Sequence, residues 1–180
     1  MNKTIAIFAG NSCTLDEQEA YFKLAYEMGK LLAREGFVTL TGGGSGLMDE
    51  ASRGAFEAKG KTMAIGLNLK ERKKSDYVSE ITIFDQLGVR QDKLITAGDA
   101  YIALPGGIGT LYEIFNIIAL KRLDEIPKER PLILLGDYFL LLKPVFDAMI
   151  SNGLTEKSVY SLFNFAQVPS EAIELLKNNL

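Results

Sequence analysis

Histidine is absent from the 180 residues, and that absence excludes more chemistry than any residue present suggests. Without it there is no Ser-His-Asp or Cys-His catalysis, and no histidine-ligated zinc. Cysteine is almost absent as well. Cys13 is the single one, so no intrachain disulfide can form, which fits a reducing compartment. Tryptophan is missing, and with it the largest aromatic platform for stacking single-stranded nucleic acid. Basic residues are not in excess either: 20 Lys and Arg stand against 23 Asp and Glu, a net charge of -3. A domain that coats phosphate backbones is usually basic, so no nucleic-acid partner is expected. No apolar run approaches the ~20 residues that cross a bilayer. The opening apolar stretch, Thr4 to Ala9, is too short for a signal-peptide core and lacks a charged leader. These readings predict a cytoplasmic protein without a membrane partner. Any acid-base chemistry falls to Asp, Glu, Tyr, Lys or water.

The remaining composition is that of an ordinary globular protein, 47% hydrophobic and 24% charged. The length suits one domain spanning residues 1–180 with a full core. Short apolar runs alternate with amphipathic stretches. Strands are predicted at Thr4 to Ala9, Val38 to Thr41, Thr62 to Gly66, Ile81 to Phe84, Ala100 to Leu104 and Leu132 to Leu135. Several are nearly continuous Ile, Val, Leu and Ala, as expected where both sheet faces are covered. Helices are predicted at Asp16 to Glu35, Leu47 to Lys59, Gln86 to Ala97, Thr110 to Leu123, Tyr138 to Asn152 and Ser170 to Asn179. Gly36 ends the first of them. Lys70 to Ser79 is polar and is expected to be a solvated loop. This succession predicts an α/β fold: a Rossmann-like, doubly wound parallel sheet with helices on both faces. In such sheets a ligand sits outside the carboxyl ends of the strands.

Three loops rich in small residues fall at those ends. They are Ala9 to Ser12, Thr41 to Gly46 and Pro105 to Thr110. Glycine lets the backbone approach a ligand closely, and a helix N-terminus offers free amides to an anion. One such loop reads most simply as a tight turn. Two glycine-rich loops, each leading into a helix, point instead to a phosphate-bearing ligand. The binding candidates are Gly106, Gly107, Gly109, Thr110, Gly43, Gly44, Met48 and Ser12, with Asn11 beside the last. No Gly-Lys-Ser/Thr follows either loop, and the dinucleotide spacing is not met, so neither a Walker site nor NAD is expected. Arg90 and Glu113 stand near the starts of two helices. Alone, each reads first as a surface charge. Together beside a phosphate loop they form a minimal kit for cleaving a nucleotide. Asp99 reads as a strand cap, and Tyr101 and Tyr112 as buried or rim tyrosines.

The segment Pro105-Gly106-Gly107-Ile108-Gly109-Thr110-Leu111-Tyr112-Glu113 is similar to the Pro-Gly-Gly-x-Gly-Thr-x-x-Glu motif of the Lonely Guy family. Arg90 falls where that family carries the arginine of an Arg-Lys motif. Gly98 to Leu104, Thr41 to Met48 and Phe8 to Ser12 resemble the family's flanking segments, so the likeness spans nearly the whole chain. It implies a Rossmann-like fold and a homodimer. It also implies a phosphoribohydrolase, splitting cytokinin riboside 5'-monophosphates or AMP into base and ribose 5-phosphate, with Arg90 and Glu113 as catalytic pair and no metal or organic cofactor. Members often carry the label lysine decarboxylase. That activity is not expected here, because the usual pyridoxal phosphate lysine follows a histidine. The chain departs from the family at Gln91 (commonly lysine), at Tyr112 and Asn116 (commonly acidic), and in a glycine-rich segment one residue shorter. Two alternatives remain open: a non-catalytic nucleotide sensor or carrier, and a related DNA-processing protein, which the acidic balance and missing tryptophan oppose.

Overall fold

A computed structural model describes residues 2–69 and 74–180. Its frame is a sheet of seven strands: β1 (Thr4–Phe8), β2 (Val38–Thr41), β3 (Thr62–Leu67), β4 (Glu80–Phe84), β5 (Ala100–Ala103), β6 (Leu132–Leu135) and β7 (Asn164–Ala166). Their spatial order is β4-β3-β2-β1-β5-β6-β7, and every pairing is parallel. The α-helices are α1 (Leu15–Arg34), α2 (Leu47–Glu57), α3 (Leu87–Ala97), α4 (Ile108–Arg122), α5 (Lys143–Ser151) and α6 (Pro169–Asn179). This is the expected α/β Rossmann-like fold.

Alternation along β1 shows why both faces are covered. Ile5, Ile7 and Ala9 pack into one core with α1, α2 and α6, while Ala6 and Phe8 pack into another with α3, α4 and α5. All of β2, β5 and β6 is buried, including the threonines Thr39 and Thr41 of β2, as expected of strands covered on both faces. Helix α1 ends as its sequence dictates. Gly36 takes φ +78, and the Phe37 amide reaches back to the Leu32 carbonyl at 2.9 Å. Helices α1 and α2 press together at two glycines. A side chain at Gly29 would overlap the Ala51 carbonyl, and one at Gly54 the Tyr26 carbonyl. Asp99 caps the sheet as expected, its Oδ2 accepting the Thr4 amide at 2.8 Å.

Three features differ from the sequence reading. The helix expected over Tyr138 to Asn152 is divided: Asp137–Leu142 is a 3-10 helix and α5 begins at Lys143. Pro144 explains the break, since proline is tolerated in a first turn but not in a helix interior. Strand β7 was not anticipated. It has three residues, opens with the exposed Asn164 and lies at the sheet edge, too short for an alternation to register. Strand β4 is the opposite edge and starts one residue earlier than read. Of the polar stretch 70–79, residues 70–73 lie outside the described residues.

The sheet order places the ligand site. From β1 the chain moves to β2 on one side, and β5 then returns to β1's other side. The loops leaving β1 and β5 therefore diverge and open a crevice at the strands' carboxyl ends.

Candidate active site

The three small-residue loops meet in that crevice and are tied through their backbones. The Gly10 amide donates to the Pro105 carbonyl at 3.0 Å, and the Gly10 carbonyl accepts the Leu47 amide at 3.1 Å. Glycine is required where they touch. Gly46 has φ +72, and a side chain there would overlap the Asn11 backbone. A side chain at Gly106 would overlap the Thr110 hydroxyl.

The loops enclose a cleft of about 600 Å³. Its walls include Asn11 and Ser12 from the first loop, Gly42 from the second with Met48 of α2, and Gly107, Gly109, Thr110 and Glu113 from the third and the start of α4. Arg90 and Gln91 come from α3. Thus Arg90, Glu113, Gly107, Gly109, Thr110, Met48 and Ser12, all singled out in the sequence, share one cavity. Gly106 braces the loop behind them. Gly43 lines a smaller adjoining pocket with Gly66, Ile81 and Ile83, and Gly44 is buried outside both linings. The cleft also takes Leu67, Leu87 and Ile108, which sequence reasoning missed. Their position beside the carboxyl end of β3 and at two helix starts was the available signal.

Arg90 and Glu113 form an ion pair, Nη1 to Oε1 at 2.7 Å, with both side chains 11% exposed. They are the only charged side chains among the described residues lining the cleft. The guanidinium is fixed by two further bonds: Nε donates to the Ile65 carbonyl at 2.9 Å, and Nη1 to Gln91 Oε1 at 3.2 Å. Its Nη2 lies over Gly42. Gln91 is fully buried, and its Nε2 has no hydrogen-bond partner among the described residues. Tyr112, at one of the positions where the family pattern has an acid, is 45% exposed on the cleft rim.

Helix α4 begins at Ile108 after Gly107, with no side chain capping it. Its first amides therefore have no intrahelical acceptor. They bring the positive end of the helix dipole to the cleft, where an anion is favoured. Fold and cleft together define a Rossmann-like protein with an anion-receptive helix start and a buried Arg–Glu pair at its switch point.

Comparison with known proteins gives the same fold and a family. The model of the family described as "Possible lysine decarboxylase" matches residues 48–176. A probable cytokinin riboside 5'-monophosphate phosphoribohydrolase from Oryza sativa subsp. japonica is 30% identical over 97% of this chain and 72% of its own. The chain belongs to this family, that of the Lonely Guy proteins. Among solved structures, the molybdenum cofactor binding protein of Rippkaea orientalis is similar with TM-score 0.75 and 28% identity, covering 99% of this chain and 97% of that one. The molybdenum cofactor carrier protein of Chlamydomonas reinhardtii is similar with TM-score 0.72 and 25% identity, covering 99% and 98%.

The decarboxylase description does not fit the cleft. A pyridoxal phosphate enzyme needs a lysine for its Schiff base, and no lysine among the described residues lines this cavity.

Proposed function

We propose that the protein hydrolyses the N-glycosidic bond of a purine nucleoside 5'-monophosphate, AMP or a cytokinin-type nucleotide, to free base and ribose 5-phosphate. The observation that carries this reading is the Arg90–Glu113 pair, 2.7 Å apart, in the same cleft as the uncapped start of α4. The 5'-phosphate rests on the amides of Gly107 to Thr110 with the Thr110 hydroxyl. The C1'–N bond breaks, and its electron pair leaves with the base. Positive charge grows on the ribose ring, as in glycoside hydrolysis, and the Glu113 carboxylate stabilises it. Water bonds to C1' through its oxygen, and Glu113 passes the released proton to the base. Arg90 orients Glu113, and its Nη2 donates to the ligand's negative charge.

The test is incubation with AMP and with isopentenyladenosine monophosphate, following base and ribose 5-phosphate by chromatography, with Glu113→Gln alongside. Release by the wild type, lost in the variant, supports the hydrolase. Turnover unchanged in Glu113→Gln removes Glu113 from the mechanism. A second reading, a non-catalytic carrier, draws on the two solved relatives whose names say that they bind or carry the molybdenum cofactor. Nucleotide binding without any base release would favour it.

We further propose that the protein works as a homodimer. Ile108 (83% exposed), Leu87 (53%) and Tyr112 (45%) put apolar surface around the cleft mouth, more than scattered single residues would give. Light scattering across a concentration series checks the mass.

A further inference from the structure

Tyr138 stands outside the cleft lining, on the 3-10 helix after β6, yet it touches the loop that forms the cleft. Its hydroxyl donates to the Gly106 carbonyl oxygen at 2.7 Å. Its ring is held by aromatic neighbours: Tyr21 of α1 lies edge-on at 6.3 Å and Phe139 at 5.2 Å. The hydroxyl is thus delivered to that carbonyl from a supported side chain.

We propose that Tyr138 is a positioning residue for the anion site, fixing the Gly106–Gly107 peptide so that the Gly107 amide serves the cleft. A trans peptide is planar, and its carbonyl and N–H point in opposite directions; the chain has no cis peptide among the described residues. With the Gly106 oxygen turned to Tyr138, the Gly107 N–H points away from Tyr138, and Gly107 lines the cleft. On its other side Gly107 is tied to α4, its carbonyl accepting the Leu111 amide at 3.1 Å. No atom lies within 4 Å of where a Gly107 side chain would begin, and glycine has the widest conformational freedom of any residue. Gly106 itself is crowded by Thr110 and by the Gly10 amide. With Gly106 crowded and the Gly107 carbonyl tied to α4, the peptide between them keeps its freedom to rotate. The Tyr138 hydroxyl restrains that rotation, and a restrained donor binds an anion with less ordering cost than a free one.

This inference rests on the cleft being a phosphate site, and its test does not depend on turnover. Tyr138→Phe keeps the ring contacts and removes the hydroxyl alone. Calorimetric titrations with inorganic phosphate, AMP and adenosine, on wild type and variant, separate the phosphate from the rest of the ligand. Tyr160→Phe, which loses a hydroxyl bonded to the exposed Asp147 at 2.8 Å, is the control. Tyr138→Phe is expected to weaken phosphate and AMP three- to tenfold while adenosine affinity stays at the wild-type and control values and the thermal midpoint falls by no more than one lost hydrogen bond accounts for. Equal AMP and phosphate affinity in wild type and variant would overturn the inference, even for a protein that releases base from AMP. So would a parallel loss for adenosine and AMP, which marks a general structural effect. A wild type that binds neither phosphate nor AMP overturns it together with the anion site. Weakened phosphate binding in a protein that releases no base would leave the positioning role standing and the hydrolase reading refuted.

Discussion

Gly42 lies directly beneath the Arg90 guanidinium: a side chain there would overlap Nη2 and come within 3.0 Å of the Met48 sulfur. The absence of a side chain at the end of β2 is what gives Arg90 its place beside Glu113. Both crowding atoms end flexible side chains, so the backbone can survive a methyl group while the guanidinium cannot keep its position. Gly42→Ala is therefore expected to fold, with a thermal midpoint within a few degrees of wild type, and to lose at least tenfold in kcat/KM for the hydrolysed nucleotide. Wild-type kinetics in this variant would show that the observed Arg90 position is not needed.

Gly109 offers the complementary case. It sits in the first turn of α4, lines the cleft, and has nothing within 4 Å of where a side chain would start. Alanine there should raise stability by about 0.5–1 kcal/mol, because it lowers the backbone entropy lost in a helix. The same methyl group stands where a phosphate would approach. A midpoint held or raised, with AMP affinity reduced tenfold or more, is the expected result. Undiminished AMP affinity would place the phosphate elsewhere.

Lys121 predicts a pH dependence. It is 2% exposed on α4, and its Nζ donates to the Leu162 carbonyl at 2.6 Å. Burial lowers its pKa from 10.5 to about 8; Glu129 opposes the shift and Arg130 adds to it. The unfolded chain holds this proton more tightly than the folded one, so below about pH 8 the group costs stability in full. The cost, on the order of 3 kcal/mol from the conversion of pKa shifts to free energy, is relieved as pH rises from about 8 toward 10.5. Lys121→Met removes that slope, although it leaves the Leu162 carbonyl unpaired at about 1 kcal/mol. Denaturant midpoints at pH 7 and pH 9.5 should rise more in wild type than in Lys121→Met. Parallel changes in the two proteins would mean that Lys121 is not destabilised by burial.

The contact between α1 and α2 leaves no room for a side chain at two glycines. Gly54→Ala forces a methyl group into the Tyr26 carbonyl, and because the obstacle is backbone, the helices must part. Overpacking of this kind costs about 1–3 kcal/mol. Helix propensity alone would make the same substitution stabilising. Chemical denaturation decides by the sign of the change.

Much of this was legible in the chain. The strand and helix succession follows from continuous apolar runs and from glycines at turns, which are local properties, and strand bounds fell within a residue or two of those observed. The chemistry was also bounded, since a chain without histidine leaves Asp, Glu, Tyr, Lys or water for acid-base work, and Glu113 closes a specific motif with Arg90 upstream of it. The break before Pro144 was written locally in the proline and was overlooked, whereas the three-residue β7 at the sheet edge is too short to carry an alternation.

The arrangement of the site was decided by tertiary structure. Arg90 and Glu113 are 23 residues apart and meet because α3 and α4 flank β5 in a sheet whose order reverses at β1. Tyr138 reaches Gly106 across 32 residues, and Gly42 meets Arg90 from the loop after β2. Residue types and turn glycines are written along the chain, whereas these approaches depend on which strands become neighbours. That choice is made by core packing over long sequence separations, where no local periodicity carries a signal.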